Sequence, residues 1–341
     1  MPNIEIGPLK CAPGERANGI VPAVSRVDGT SLGIPVMLLA GANEGPTLLV
    51  DGGIHGDEQE GCVAIASVMR ELDPKTLSGN IIGVPVMNVG AFEAMARGNP
   101  RDTHTYDMNR MYPGNPSGYL TDRIAHVHNE VIGSLADLEI TIHSGGNICY
   151  LGETIFTKSK DDRSLRLAQA MGEDWPIILD TPHPVGSPMA AMVDRGKVAI
   201  TVELGGAATT MPHRMAENVA ILKKAIVNVA RHYQMVEGEP SYAKEAWRGA
   251  QSVVRASKSG ILVPNPELVH SKLKQPIREG ETLLQIADLF GEPIEDLNAP
   301  CNGTLFGFRT YPSTTAGDWT LFCGKADWER MPVPDPEEDR F

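Results

Sequence analysis

The chain has 341 residues and a net charge of −13, from 43 acidic against 30 basic residues. Hydrophobic residues make up 42% and charged residues 21%, a globular balance with length enough for one or two cored domains. With no basic run to offset the acidic excess, no nucleic-acid partner is expected, and no apolar stretch reaches the roughly 18 residues of a membrane helix.

Taken in order, residues 1–40 read as short strands, one of them over 34–39. The opening Met-Pro-Asn-Ile-Glu-Ile lacks a basic and then apolar leader, so no secretory signal is expected. The apolar run Thr47-Leu48-Leu49-Val50 predicts a buried strand. It feeds the glycine-rich turn Asp-Gly-Gly-Ile-His-Gly-Asp-Glu-Gln-Glu-Gly at 51–61 and then a helix near 60–72. Further strands are expected at 80–87, 138–142 and 198–203, and further helices near 121–135, 162–171 and 215–233. Strands alternating with helices predict a mixed α/β sheet with helices on both faces.

After Glu237-Gly-Glu-Pro240 the texture changes to short β-like runs at 252–256, 260–263, 282–287, 303–309 and 319–323. Three units are therefore expected: a catalytic α/β part over 1–240, an all-β module over 245–330, and a mobile acidic tail over 331–341. Five cysteines (Cys11, Cys62, Cys149, Cys301, Cys323) lack paired spacing. They read as free thiols of a reducing compartment, so a cytoplasmic location is expected.

Chemistry concentrates at three strand ends. His55 and Glu58 lie three apart on the first turn, as an imidazole and a carboxylate that can face one point. Ile140-Thr141-Ile142 ends in His143-Ser-Gly-Gly, and Val198–Val202 ends in Glu203-Leu-Gly-Gly. A single such His is more often structural. Three independent arrivals at the carboxyl edge of a sheet point to a ligand site, and neutral imidazole with carboxylate is zinc-binding chemistry. Tyr106–Gly114 has no apolar periodicity and reads as a loop. Within it Asn109 and Arg110 suit a carboxylate, although a lone Arg more often serves an ion pair. His126 and His128, spaced i, i+2, point to different sides and cannot chelate together. His104 is read as solvated, His183 as a residue of the site mouth, and His213, His232 and His270 as surface residues.

Together Gly-x-His-Gly-Asp-Glu at 53–58, Asp-Met-Asn-Arg at 107–110, His-Ser-Gly-Gly at 143–146 and Glu-Leu-Gly-Gly at 203–206 resemble the succinylglutamate desuccinylase/aspartoacylase family of the zinc carboxypeptidase-like superfamily. The resemblance runs from about residue 20 to 330 in the family's motif order. It implies His55, Glu58 and His143 as ligands of one Zn2+, Glu203 as general base on the bound water, and Asn109 with Arg110 on the substrate carboxylate. It also implies an arginine that polarises the scissile carbonyl. Arg101 and Arg97 both fall in range, and spacing favours Arg101. One departure is Thr141, where many relatives carry an acid. The β module resembles biotinyl and lipoyl hairpins, but the turn after Pro300 has no carrier lysine, so it is read as structural or as a cap on the site.

The activity so implied is hydrolysis of the amide of a small N-acyl amino acid by a cytoplasmic zinc deacylase, plausibly a homo-oligomer. Two alternatives stand beside it. One is a metallocarboxypeptidase-type peptidase. The other is a non-catalytic small-ligand binder on the same fold, against which the retained Glu203 argues.

Overall fold

The β-branched and aliphatic runs that alternate with amphipathic helices assemble into one long mixed sheet. The computed structural model describes residues 3–104, 106–158, 161–181, 185–207 and 212–339. At the centre, Val198–Gly206, Leu138–His143, Asn43–Gly52 and Ser78–Val84 run parallel, in that order. Ser31–Ala40 and Glu15–Ser25 extend one side antiparallel, as a long hairpin where short strands were expected. On the other side Cys149–Lys158 lies antiparallel to Val198–Gly206, followed by Ile177–Thr181, Glu245–Arg255, Trp319–Arg330, Gly303–Arg309 and Pro276–Ile277.

The period of two along each strand sorts residues between two cores. Leu48, Val50, Ile140, Ile142, Ile200 and Val202 face Glu60–Glu71, Asp162–Ala170 and Pro212–His232. Leu49, Ile82 and Ala199 face the other way, against Ile124, Ala125, Met189 and Met192 of Leu120–Val127 and Pro188–Asp194. Helices therefore cover both faces. The single helix expected over 121–135 is instead Leu120–Val127, a π turn His128–Ile132 and a 3-10 turn Gly133–Leu135. The π turn buries the consecutive His128 and Asn129, which a regular surface helix would not do.

The C-terminal strands are joined to this sheet. Glu245–Arg255 pairs parallel with Ile177–Thr181, from Trp247 opposite Ile177 to Ala250 opposite Asp180. Gly303–Arg309 pairs both with Trp319–Arg330 and with Cys149–Lys158, closing a barrel-like ring. A separate sheet of Pro293–Asn298, Thr282–Ala287, Gly260–Val263 and Ser313–Thr314 caps an apolar cluster containing Leu262, Ile286, Leu297 and Leu321.

Two expectations need correction. The acidic tail is anchored through Asp339, which is buried and accepts from Arg166 Nε at 2.9 Å. His232, read as a surface residue, is fully buried between Tyr242 Oη at 2.8 Å and Asp339 Oδ2 at 3.1 Å. A charged partner far away in sequence makes both burials tolerable. All five cysteines are buried and free. Among the described residues, no helix is long and apolar enough to cross a membrane. His183 lies outside the described residues, as does the side chain of His270.

Candidate functional site

Parallel pairing sets the ends of three strands side by side. Gly52 lies opposite Ile142, and Glu203 directly opposite His143. The turn after Gly52 then brings His55 and Glu58 over the same edge. His55 Nδ1 is 2.7 Å from Glu58 Oε1, and His143 Nδ1 is 2.8 Å from Glu58 Oε2. The three residues are buried, and their ligand atoms cluster closely enough to share one ion.

The donor chemistry fits a cation. A neutral imidazole nitrogen facing a carboxylate oxygen at this distance needs a proton or a metal between them. His55 Nε2 is 3.1 Å from Asp107 Oδ1, so an Nε2–H donated there leaves the Nδ1 lone pair directed at Glu58. Asp107 is in turn gripped by Arg97, whose Nε and Nη2 donate to Oδ2 at 3.2 and 3.0 Å. Glu58 Oε2 also accepts from the Ser144 N–H at 3.2 Å. Burial by itself raises the Glu58 pKa, but the two adjacent histidines outweigh it and hold the carboxyl well below the ordinary range.

Glu203 is the contrasting carboxyl. It is half-buried beside the trio, and its Oε2 is shut off from solvent with no hydrogen-bond partner. Burial, then the nearby Glu58 carboxylate, push its pKa well above the ordinary value. Two neighbouring carboxyls are thus held at opposite extremes. The chain reverses sharply after Glu203. Gly205 has φ +95°, and a Cβ there would sit 2.1 Å from Glu60 Oε1. Glu60 Oε1 accepts from the Gly206 N–H at 2.7 Å, which fixes the turn.

A cleft of about 520 Å³ opens over these groups, with Arg97, Asn109 and Arg110 on its wall. Asn109 and Arg110 sit on a 3-10 turn Met108–Arg110 capped by the Asp107 carboxylate. Arg101 is the exception. It is exposed and lines a different cavity with Val24, Leu32 and Leu120. The Asp102 carboxylate accepts from the Thr121 N–H at 2.7 Å, and Asn99 Oδ1 accepts from the Arg101 N–H at 3.0 Å. Those two anchors hold the Arg101 turn against the Leu120 helix, away from the cleft. The arginine in the cleft is Arg97. His104 is also outside it, stacked on Tyr119 at 4.2 Å.

The comparisons with known proteins can now be set beside this geometry. The profile of the succinylglutamate desuccinylase/aspartoacylase catalytic domain matches residues 44–233. The chain belongs to this family. It is 31% identical over 298 residues to the N-alpha-acetyl-L-2,4-diaminobutyric acid deacetylase of Halomonas elongata, covering 84% of this chain and 83% of that one. The product-bound ectoine utilization protein of Ruegeria pomeroyi superposes with TM-score 0.80 at 26% identity, covering 91% of this chain and 95% of that one. The succinylglutamate desuccinylase/aspartoacylase of Rhodobacter sphaeroides gives TM-score 0.79 at 27% identity, with 93% and 96% covered.

Beneath the site, this family member carries a second polar group that the motifs did not flag. Glu139, Thr141 and His143 share one face of their strand, and Asp51 lies opposite Thr141 on the next. Asp51, Glu139 and His128 are all buried, and their polar atoms approach one another closely. The His128 Nε2 to Asp51 Oδ2 separation of 3.6 Å is too long for a hydrogen bond. Burial lowers the His128 pKa to about 3, so the ring is neutral. Burial raises both carboxyls, and the mutual charge raises Glu139 further. The Leu-Glu-Ile-Thr-Ile-His alternation was the available signal, since it places a glutamate on a buried face.

A raised carboxyl stabilises the fold below its unfolded pKa near 4, and that contribution fades as pH climbs toward the folded value. In Asp51→Asn the part of this slope due to Asp51 should vanish, leaving what Glu139 contributes. Melting temperatures compared between pH 5 and 8 should favour the variant increasingly with pH. One proton corresponds to about 1.4 kcal/mol per pH unit where the two pKa values bracket the pH. A variant-minus-parent difference that stays constant over the range would exclude a protonated pair.

Proposed function

We propose that the chain is a zinc-dependent deacylase that hydrolyses the amide bond of a small N-acyl amino acid. The observation that carries this reading is that the His55–Glu58–His143 trio shares one cleft with Glu203, whose Oε2 has no partner. The activity in the name of the Halomonas elongata relative supports the same reaction class.

Zn2+ held by His55, Glu58 and His143 would lower the pKa of a water to roughly 7 and polarise an acyl oxygen. Glu203 is the proton carrier: it accepts the proton of the attacking water and delivers it to the departing amine nitrogen. Arg97, positioned by Asp107, donates to the oxygen on which negative charge develops. Arg110 and Asn109 hold the substrate carboxylate and fix the acyl carbon over the site. The module over 245–330 contributes Gln251, Phe306, Trp319 and Phe322 to the cleft, which supports a role in shaping the space for substrate.

The two arginine roles separate by mutation. Arg110→Lys keeps the charge but loses the planar fork. Its KM for a carboxylate substrate should rise about tenfold or more, with discrimination against the carboxamide analogue largely lost. Arg97→Ala should instead lower kcat by about 10²-fold, in the range of a lost oxyanion donor. Arg101→Ala, in its separate cavity, should do neither. A kcat loss in Arg101→Ala with Arg97→Ala unaffected would reverse this assignment.

A further inference from the structure

The cleft has two chemically distinct halves. One holds the trio, Glu203 and the arginines. The other is a row of rings: Phe156 meets Phe306 at 5.9 Å between centroids, Phe306 meets Phe322 at 6.0 Å, and Phe322 meets Trp319 at 5.7 Å. Phe156 comes from the Cys149–Lys158 strand, Phe306 from Gly303–Arg309, and Phe322 and Trp319 from Trp319–Arg330. The barrel-like closure of those strands thus delivers the whole row to one wall. Phe156, Phe306 and Phe322 are buried, at 8%, 1% and 5% exposed, and Trp319 is 41% exposed, so three rings form the floor and Trp319 the rim.

The described residues that line this half are uncharged, although behind the lining the Arg255 guanidinium lies over the Trp319 ring, 5.2 Å from its centroid. The carboxylates lining the cleft are Asp57, Glu58 and Glu203. Glu58 is a member of the trio and Glu203 the proton carrier. Asp57 Oδ2 accepts from the Asn147 N–H at 3.1 Å, and its Oδ1 is sealed from solvent. Beside the rings the lining offers the polar side chains of Gln251 and of Thr201, which lies opposite Phe156, and both are neutral. An ammonium group placed there would lose its water and meet no carboxylate, and the Trp319 ring already carries the Arg255 cation. An aromatic or branched aliphatic group placed there would gain both burial and edge-to-face ring contacts.

We propose that the row Phe156–Phe306–Phe322–Trp319 is a specificity subsite for a bulky apolar, preferably aromatic, group on the substrate. This deepens the deacylase reading and rests on it for the reaction, though not for the binding. The substrate class becomes an N-acyl amino acid with a ring on either its side chain or its acyl group, instead of a diamino acid derivative. The relevant apolar contacts are worth about 10- to 200-fold in selectivity for a pocket of this kind.

The test compares kcat/KM of the zinc-loaded protein for N-acetyl-L-phenylalanine, N-benzoylglycine and N-acetyl-L-2,4-diaminobutyrate. At least one aromatic compound should exceed the diaminobutyrate compound by tenfold or more, and which of the two does so assigns the subsite to side chain or acyl group. Trp319→Ala, at the half-exposed rim and so least able to disturb folding, should lower the aromatic-to-diaminobutyrate ratio about three- to tenfold. Calorimetry with L-phenylalanine, benzoate and L-2,4-diaminobutyrate reads the subsite without turnover. Aromatic binding that weakens in Trp319→Ala, with no hydrolysis of any compound, would keep the subsite and sink the deacylase reading. Hydrolysis of the diaminobutyrate compound as fast as or faster than both aromatic ones would overturn the subsite. A selectivity ratio unchanged in Trp319→Ala would do the same.

Discussion

Replacing Glu203 by Gln should leave a folded, metal-binding protein that has lost about 10²–10⁴-fold in kcat. The amide is nearly the same shape, so the Glu203–His143 register and the turn through Gly205 should survive. What disappears is the ability to take a proton. Glu203 is suited to that task by its place: it lies opposite His143 at the strand ends, with Oε2 unpartnered. Substrate binding through Arg110 should change little, so the loss belongs in kcat and not in KM. The measurement is steady-state kinetics on protein whose metal content has been matched to the parent. Wild-type kcat in Glu203→Gln would mean another base does the work.

Removing a ligand should act differently. His55→Ala should lose the metal, and with it essentially all activity, since one of three protein ligands is gone. His143→Ala should behave alike, because its Nδ1 is the other nitrogen on Glu58. Asp107→Asn should be milder. It keeps an oxygen for the His55 Nε2–H but loses the charge that orients it, and outer partners of this kind are worth about 10- to 100-fold in metal affinity. The order His55→Ala below Asp107→Asn below parent, in metal retained after dialysis against a chelator, is the expected result. Full retention in both histidine variants would sink the ligand assignment.

The convergence of His55, Glu58 and His143 was legible because its signal is local. A β-branched run followed by glycine marks a strand end, and an ionisable residue there sits at the ligand-binding edge whatever the rest of the chain does. Arg97 and Arg101 could not be separated that way. Their spacing from Asn109 is compatible with either. What places them apart is that Asp102 reaches the Thr121 N–H, a contact 19 residues away that holds the Arg101 turn off the cleft. Asp107 was visible in its motif but had no assigned task, since holding His55 needs the fold. The anchored tail and buried His232 were missed together. Each makes the other's burial tolerable, and neither carries a local sign of it.

The aromatic row was hidden for the same reason. Phe156 fell between assigned elements, and the strand holding it was not recognised. Phe306 and Phe322 lay in runs correctly read as β, but nothing local says that Gly303–Arg309 pairs with Cys149–Lys158. Only that long-range pairing turns four separate rings into one wall of the cleft.

The central claim is that metal at His55, Glu58 and His143 makes this chain an amide hydrolase. It is tested most directly by titrating metal-stripped protein with Zn2+ while following amine release from N-acetyl amino acids. Stripped protein should release no amine, and on titration the rate should rise linearly and saturate at one Zn2+ per chain. Equal rates with and without metal, or one bound Zn2+ per chain with no amine released from any N-acyl amino acid, would contradict it.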